Sequence, residues 1–145
     1  MEIAADTIIA SRYRVLKELG RGAMGVVYLV EHAHTGDQLA LKLLIGHAGC
    51  NPDAVARFKR EARASARIKS ENVVKVVDAD VAPELGGAPF LVMELLNGSD
   101  LEKHLAQRGR LSFEEVVTYL GQAGRALDRS HAAGIVHRDL KPENI

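Results

Sequence analysis

The segment His137-Arg138-Asp139-Leu140-Lys141-Pro142-Glu143-Asn144, HRDLKPEN, gathers a base, two acids, two cations, an amide and a proline. Such a mixture immediately after a helical pattern reads as a site rather than a spacer. Asp139 can take a proton from a hydroxyl nucleophile. Lys141, two residues on, can neutralise a transferring phosphoryl group. Asn144 carries an amide oxygen suited to a hard cation such as Mg²⁺.

Two helices precede this loop. In LSFEEVVTYLGQAGRALDRSHAAG, Ser112 and Glu115 have the spacing of a capping box. Phe113, Val116, Val117, Leu120, Leu127 and His131 fall on one helical face, and Gly134 supplies the stop. SDLEKHLAQ is a shorter helix with Leu101 and Leu105 one turn apart. A break near residues 95–99, LLNGS, separates these helices from an earlier β-rich half, with Gly98 as a hinge.

In that earlier half, YRVLKELGRGAMGVVYLVEHAHTGDQLALKLLI predicts three strands, rich in Val15, Val26, Val27, Tyr28 and Val30. NVVKVVDADV and PFLVMELL predict two more, around the turn-rich PELGGA. NPDAVARFKREARASARIK predicts a helix, with Asn51 as N-cap and Pro52 at its first position. Short connections between these elements favour an antiparallel sheet with one packed helix.

The bulk composition fits a soluble globular domain, with 47% hydrophobic and 26% charged residues. Nineteen Lys and Arg balance nineteen Asp and Glu, so net charge gives no general attraction to nucleic acid or to an anionic membrane. Cys50 is the only cysteine and cannot form an internal disulfide, consistent with a reducing compartment. Glu2 and Asp6 stand where a signal peptide would carry positive charge. No stretch has the length of a membrane span.

Within the β-rich half, Gly20, Gly22 and Gly25 have G-x-G-x-x-G spacing, with Val27 two residues on. Glycines let a backbone approach a ligand and direct N–H groups at phosphate oxygens. Alone, the spacing equally suits a flexible hairpin. A dinucleotide fold is excluded by context, because the loop joins strand to strand and not strand to helix. Ala40 and Lys42 share a strand face at period two, which suits a flat ring beside its phosphates. Glu61 lies on the helix stripe of Phe58, Ser65 and Ile68, apart from the basic face of Lys59, Arg60 and Arg63. An inward acid needs a partner, and Lys42 is the expected one.

GRGAMGVVY, LALK, RFKREA, FLVMELLNG and HRDLKPEN stand in the order found in one family. From Tyr13 to Ile145 the chain resembles the N-terminal part of a eukaryotic-like serine/threonine protein kinase, most of all the bacterial ones. Lys141 follows Asp139 by two residues, the serine/threonine pattern and not the tyrosine one. Arg138 stands where the related antibiotic phosphotransferases typically have glycine. The implied fold is α+β: residues 1–12 an extension, 13–96 a five-stranded antiparallel N-lobe with one main helix, and 97–145 the start of a helical C-lobe.

The resemblance implies ATP and Mg²⁺ as cofactors and assigns roles residue by residue. Gly20, Gly22 and Gly25 cover the phosphates, and Leu19, Val27 and Ala40 roof the adenine. Lys42 holds the α- and β-phosphates and pairs with Glu61. Met93 is the gatekeeper, the backbone of Glu94 and Leu96 meets the adenine edge, and Asp100 faces the ribose. Asp139 is the catalytic base, Lys141 touches the γ-phosphate, and Asn144 binds Mg²⁺. His137 supports the loop. Ala23 is a small departure, where many relatives have glycine or serine.

The family continues past this asparagine with D-F-G, an activation loop and A-P-E. These residues are therefore expected to form an incomplete catalytic domain, inactive alone, whose parent phosphorylates serine and threonine on proteins in the cytoplasm. The alternative is a catalytically inactive, kinase-derived module that binds nucleotide or protein. Dimerisation of the parent and a downstream membrane anchor are left open.

Overall fold

The computed structural model describes residues 3–22, 25–44 and 52–145. Glu2, Ala23, Cys50 and Asn51, named above, lie outside them. Two compact units emerge: residues 1–66 with 75–96, and residues 67–74 with 97–145.

The first unit is built on one antiparallel sheet. Its strands are β1 (Ile8–Ile9), β2 (Tyr13–Gly22), β3 (Gly25–His32), β4 (Gln38–Leu44), β5 (Val76–Ala82) and β6 (Ala88–Glu94), in the order β1-β2-β3-β4-β6-β5. The five predicted strands are β2 to β6. The sixth, β1, is two residues long, too short to leave a periodic signal. It reaches β2 through the three residues Ala10, Ser11 and Arg12, where Ala10 and Ser11 take φ of 49° and 56° and the Arg12 N–H donates to the Ile9 carbonyl at 3.0 Å. That turn shape ordinarily selects Asn-Gly, so Ala-Ser hides it from a sequence reading.

Alternation along the strands divides the sheet into two faces. Val26, Leu43 and Phe90 stand opposite one another across three strands, as do Tyr28, Leu41 and Val92. All six are fully buried and join Ile3, Ile9, Tyr13, Val15 and Val30 in a single core. The sheet curls around this core until its first and last strands meet. The Tyr13 hydroxyl donates to Asp78 Oδ2 at 2.7 Å, and the Arg12 guanidinium pairs with Asp78 at 3.2 Å and Asp80 at 3.0 Å. The Ala10 N–H donates to Glu84 at 2.6 Å. Residues 3–12, expected to be an extension, therefore seal one end of the core with Ile3 and Ile9. Burial and the bond to Asp78 together push the Tyr13 hydroxyl pKa well above its ordinary value.

Helix α1 (Pro52–Ala66) packs on β5. Its Ala62 is buried, with Val55, Phe58, Lys59 and Ser65 half-buried beside it.

The second unit holds α2 (Leu101–Arg108), α3 (Phe113–Ala132) and a 3₁₀ turn (Pro142–Asn144). Both predicted caps of α3 form: the Glu115 N–H donates to Ser112 Oγ, the Ser112 N–H to Glu115. Gly134 follows the helix end with φ of 75°. The apolar face of α3 is its exposed side, and other residues take the sheltered one. Glu115 pairs with Arg108 of α2, and Tyr119 meets His104 edge-on at 6.5 Å. Phe113 and Leu120 are 79% and 65% exposed, and Val116 and Val117 are exposed with them. No residue of this unit is buried. No helix among the described residues is long and apolar enough to cross a membrane.

Candidate functional site

The candidate residues fall in two groups, one in each unit. In the sheet, the face opposite the core carries the first. Gly20 pairs with Val27, Val27 with Lys42, and Lys42 with Leu91, one row across four strands. The next row is Leu29, Ala40 and Met93. Directly opposite residues project from the same face, so Val27, Ala40, Lys42 and Met93 stand together. Ala40 is buried; the other three are half-buried. Leu29 and Leu91 complete this apolar bed and escaped the sequence reading, although period two from Val27 and Met93 would have found them.

The three glycines have different reasons to be glycine. A Cβ on Gly25 would lie 2.1 Å from the Leu43 carbonyl oxygen, so close packing of β3 on β4 demands it. A Cβ on Gly20 or Gly22 would meet nothing within 4 Å among the described residues. The space above those two is open, as backbone approach by an external group requires. Leu19 sits in a bulge of β2, between the Glu18–Tyr28 and Gly20–Val27 pairs, and is exposed.

At the end of β6, Glu94 is committed to the sheet: its N–H donates to the Lys75 carbonyl at 3.0 Å, and its carboxylate accepts the Lys75 N–H at 2.7 Å. Leu96, two residues on, is 63% exposed and has no hydrogen-bonded partner among the described residues. Its N–H and carbonyl are open to a ligand.

Lys42 and Glu61 are not paired. Glu61 is exposed, and Lys42 has no carboxylate within ion-pair distance among the described residues. The expected inward stripe is displaced round the helix. Ala62 takes the buried position, and Lys59, placed by sequence on the outer basic face, turns inward to Asp80 Oδ1 at 2.7 Å.

The loop predicted to carry the chemistry forms a self-bonded cluster in the second unit. The Asn144 amide donates to the Asp139 carbonyl at 2.7 Å and to Asp139 Oδ2 at 3.2 Å. Lys141 Nζ lies 2.7 Å from Glu143 and 3.7 Å from Asp139. These carboxylates, Glu143 first, raise the Lys141 pKa, so the side chain stays cationic. The Asp139 N–H donates to His137 Nδ1 at 3.3 Å. Between them Arg138 adopts φ of 62°, a conformation uncommon outside glycine and often met at functional sites. Ile145 ties the loop to α2, its carbonyl accepting the Leu101 N–H at 2.8 Å.

Asp100 caps α2: its Oδ1 accepts the Lys103 N–H at 2.8 Å, and its Oδ2 pairs with Lys103 Nζ at 2.7 Å. These bonds hold its carboxyl below the usual range. No cluster of three His, Cys, Asp or Glu side chains able to hold a metal occurs among the described residues. Asn144 offers one amide oxygen, which fits Mg²⁺ bound largely through phosphates and water.

A protein kinase domain family matches residues 13–145. The chain belongs to the protein kinase family. It is 43% identical to serine/threonine-protein kinase Pkn1 of Myxococcus xanthus over 98% of its length, and 37% identical to serine/threonine-protein kinase PknA of Mycobacterium tuberculosis over 94%. It spans 20% and 32% of those two relatives. The crystal structure of the Mycobacterium tuberculosis PknI kinase domain matches 99% of the chain with a TM-score of 0.86 at 32% identity, and the chain covers 57% of that domain. The kinase-like α+β fold expected from the motifs is thus established, with an antiparallel sheet lobe and a helical portion after it.

Proposed function

We propose that the protein transfers the γ-phosphoryl group of ATP to serine and threonine hydroxyls of other proteins, in the cytoplasm. The observation that carries this reading is the convergence at Asn144, whose amide bonds Asp139 while its oxygen remains available. It brings a proton acceptor and a cation ligand within one short loop, with Lys141 beside them.

In this reading Asp139 accepts the hydroxyl proton as the oxygen attacks phosphorus. Lys141 offsets charge on the phosphoryl oxygens. The bed of Val27, Ala40, Met93, Leu29 and Leu91 takes the adenine ring, with Leu19 at its edge. Leu96 offers backbone groups to the ring's polar edge, Glu94 ends the strand beside it, and Asp100 stands for the ribose. Gly20 and Gly22 admit the phosphates, and Lys42 holds them. Asn144 would hold Mg²⁺, which supplies charge neutralisation on the phosphates when bound.

Titration calorimetry with MgATP tests the nucleotide half. Saturable binding that Lys42→Met weakens supports the reading. No binding at millimolar MgATP would defeat it, and binding without any transfer would favour a nucleotide-binding module.

A further inference from the structure

We propose that Glu18 and Arg21 form a clasp across the bulge of β2, and that this clasp holds the register in which Gly20 and Gly22, rather than Arg21, face the phosphates; the assignment of that face to nucleotide rests on the function proposed above. Arg21 Nη2 donates to Glu18 Oε2 at 2.7 Å and its Nε to Glu18 Oε1 at 3.3 Å, so the guanidinium holds both carboxylate oxygens. On a regular strand the pair could not form. Residues three apart there point to opposite faces, with roughly 10 Å between their Cα atoms.

The bulge at Leu19 makes the pair possible. Glu18 stands opposite Tyr28, Gly20 opposite Val27 and Arg21 opposite Val26, so two steps along β2 answer one step along β3. Tyr28 and Val26 are two apart and share a face, and the residues opposite them share it too. Glu18 and Arg21 therefore meet on the face away from Lys42. The same extra residue sets Gly20 and Gly22 opposite Val27 and Gly25, on the face that carries Lys42. If Leu19 entered the ladder, each β2 residue beyond it would change faces. Arg21 would then project where Gly20 and Gly22 now leave open space among the described residues. Glu18 and Arg21 touch only while the bulge persists, so their pairing opposes that slip. Arg21 is on this account a positioning residue, acting through the backbone of the glycines beside it.

Two measurements on the full-length protein test the clasp, each on Glu18→Gln, Arg21→Gln and the charge swap Glu18→Arg with Arg21→Glu. Hydrogen exchange of residues 18–22, read without nucleotide, reports the bulge itself. Calorimetric titration with MgATP reports what the bulge presents. Each single variant should speed exchange and weaken MgATP binding by about two- to fivefold, the range a part-exposed ion pair supports. The swap should restore both. Unchanged exchange in the folded single variants would overturn the proposal, as would a swap no better than the singles. So would tighter MgATP binding by Glu18→Gln, which would show Arg21 attracting the phosphates directly. Failure of every form to bind MgATP, with the exchange pattern as expected, would defeat the nucleotide reading and leave the clasp standing.

Discussion

Val27 and Lys42 stand directly opposite each other on β3 and β4, on the sheet face turned away from the core. The pairing places the proposed phosphate-holding lysine beside the residue two positions after the last loop glycine, with no carboxylate partner for Lys42 among the described residues. Lys42→Met should therefore lower phosphoryl transfer by a factor of about 10² to 10³, the usual cost of one charge-stabilising group. It should leave the melting temperature nearly unchanged, because no ion pair is lost. Calorimetric melting beside a transfer assay checks both halves, and a large fall in melting temperature would show Lys42 to be structural.

Gly22 and Gly25 should respond differently to the same substitution. Gly25→Ala forces a methyl group against the Leu43 carbonyl, and overpacking of this kind costs about 1–3 kcal/mol or more. Gly22→Ala meets nothing within 4 Å among the described residues and should preserve stability while weakening nucleotide binding. Chemical unfolding and MgATP titration of both variants separate the two. Equal destabilisation would contradict the distinction.

Ser11, exposed in the turn between β1 and β2, holds φ of 56°. The left-handed conformation costs a non-glycine residue roughly 1–2 kcal/mol, part of which glycine returns as unfolded-state entropy. Ser11→Gly should raise stability by about 0.5 kcal/mol. Urea unfolding measures it, and a loss of stability would mean that the turn is not formed.

Amides of α2 and α3 should exchange with solvent faster than those of β3, β4 and β6. The sheet surrounds a buried core, whereas the second unit buries no residue and leaves Phe113 and Leu120 open. Local opening requires least free energy where few apolar contacts must be broken. Hydrogen exchange on a polypeptide of these 145 residues is the measurement. Protection of residues 101–132 equal to that of the sheet would contradict the prediction.

Strand alternation and glycine spacing made the sheet and one face of the candidate site legible from sequence. Val27, Ala40, Lys42 and Met93 share that face because period two follows directly from chain geometry. The caps of α3 were equally local, since Ser112 and Glu115 bond within one turn. The roll of α1 was not legible. Phe58 and Ser65 are compatible with either neighbouring stripe, and the choice depends on Asp80, a residue 21 positions beyond Lys59. The seam between Arg12, Tyr13, Asp78 and Asp80 joins residues 65 or more positions apart and leaves no periodic trace. The apolar stripe of α3 was visible and is exposed, whereas the contacts of Glu115 with Arg108 and of Tyr119 with His104 leave no periodic trace.

The most direct test of the account is phosphoamino acid analysis of a general protein substrate after incubation with the full-length protein, Mg²⁺ and γ-labelled ATP, alongside Asp139→Asn. The account predicts label on serine and threonine, reduced by a factor of about 10² or more in the variant, since Asp139 is the proposed proton acceptor. Label that persists undiminished in Asp139→Asn, or that appears on small molecules and not on protein hydroxyls, would contradict it.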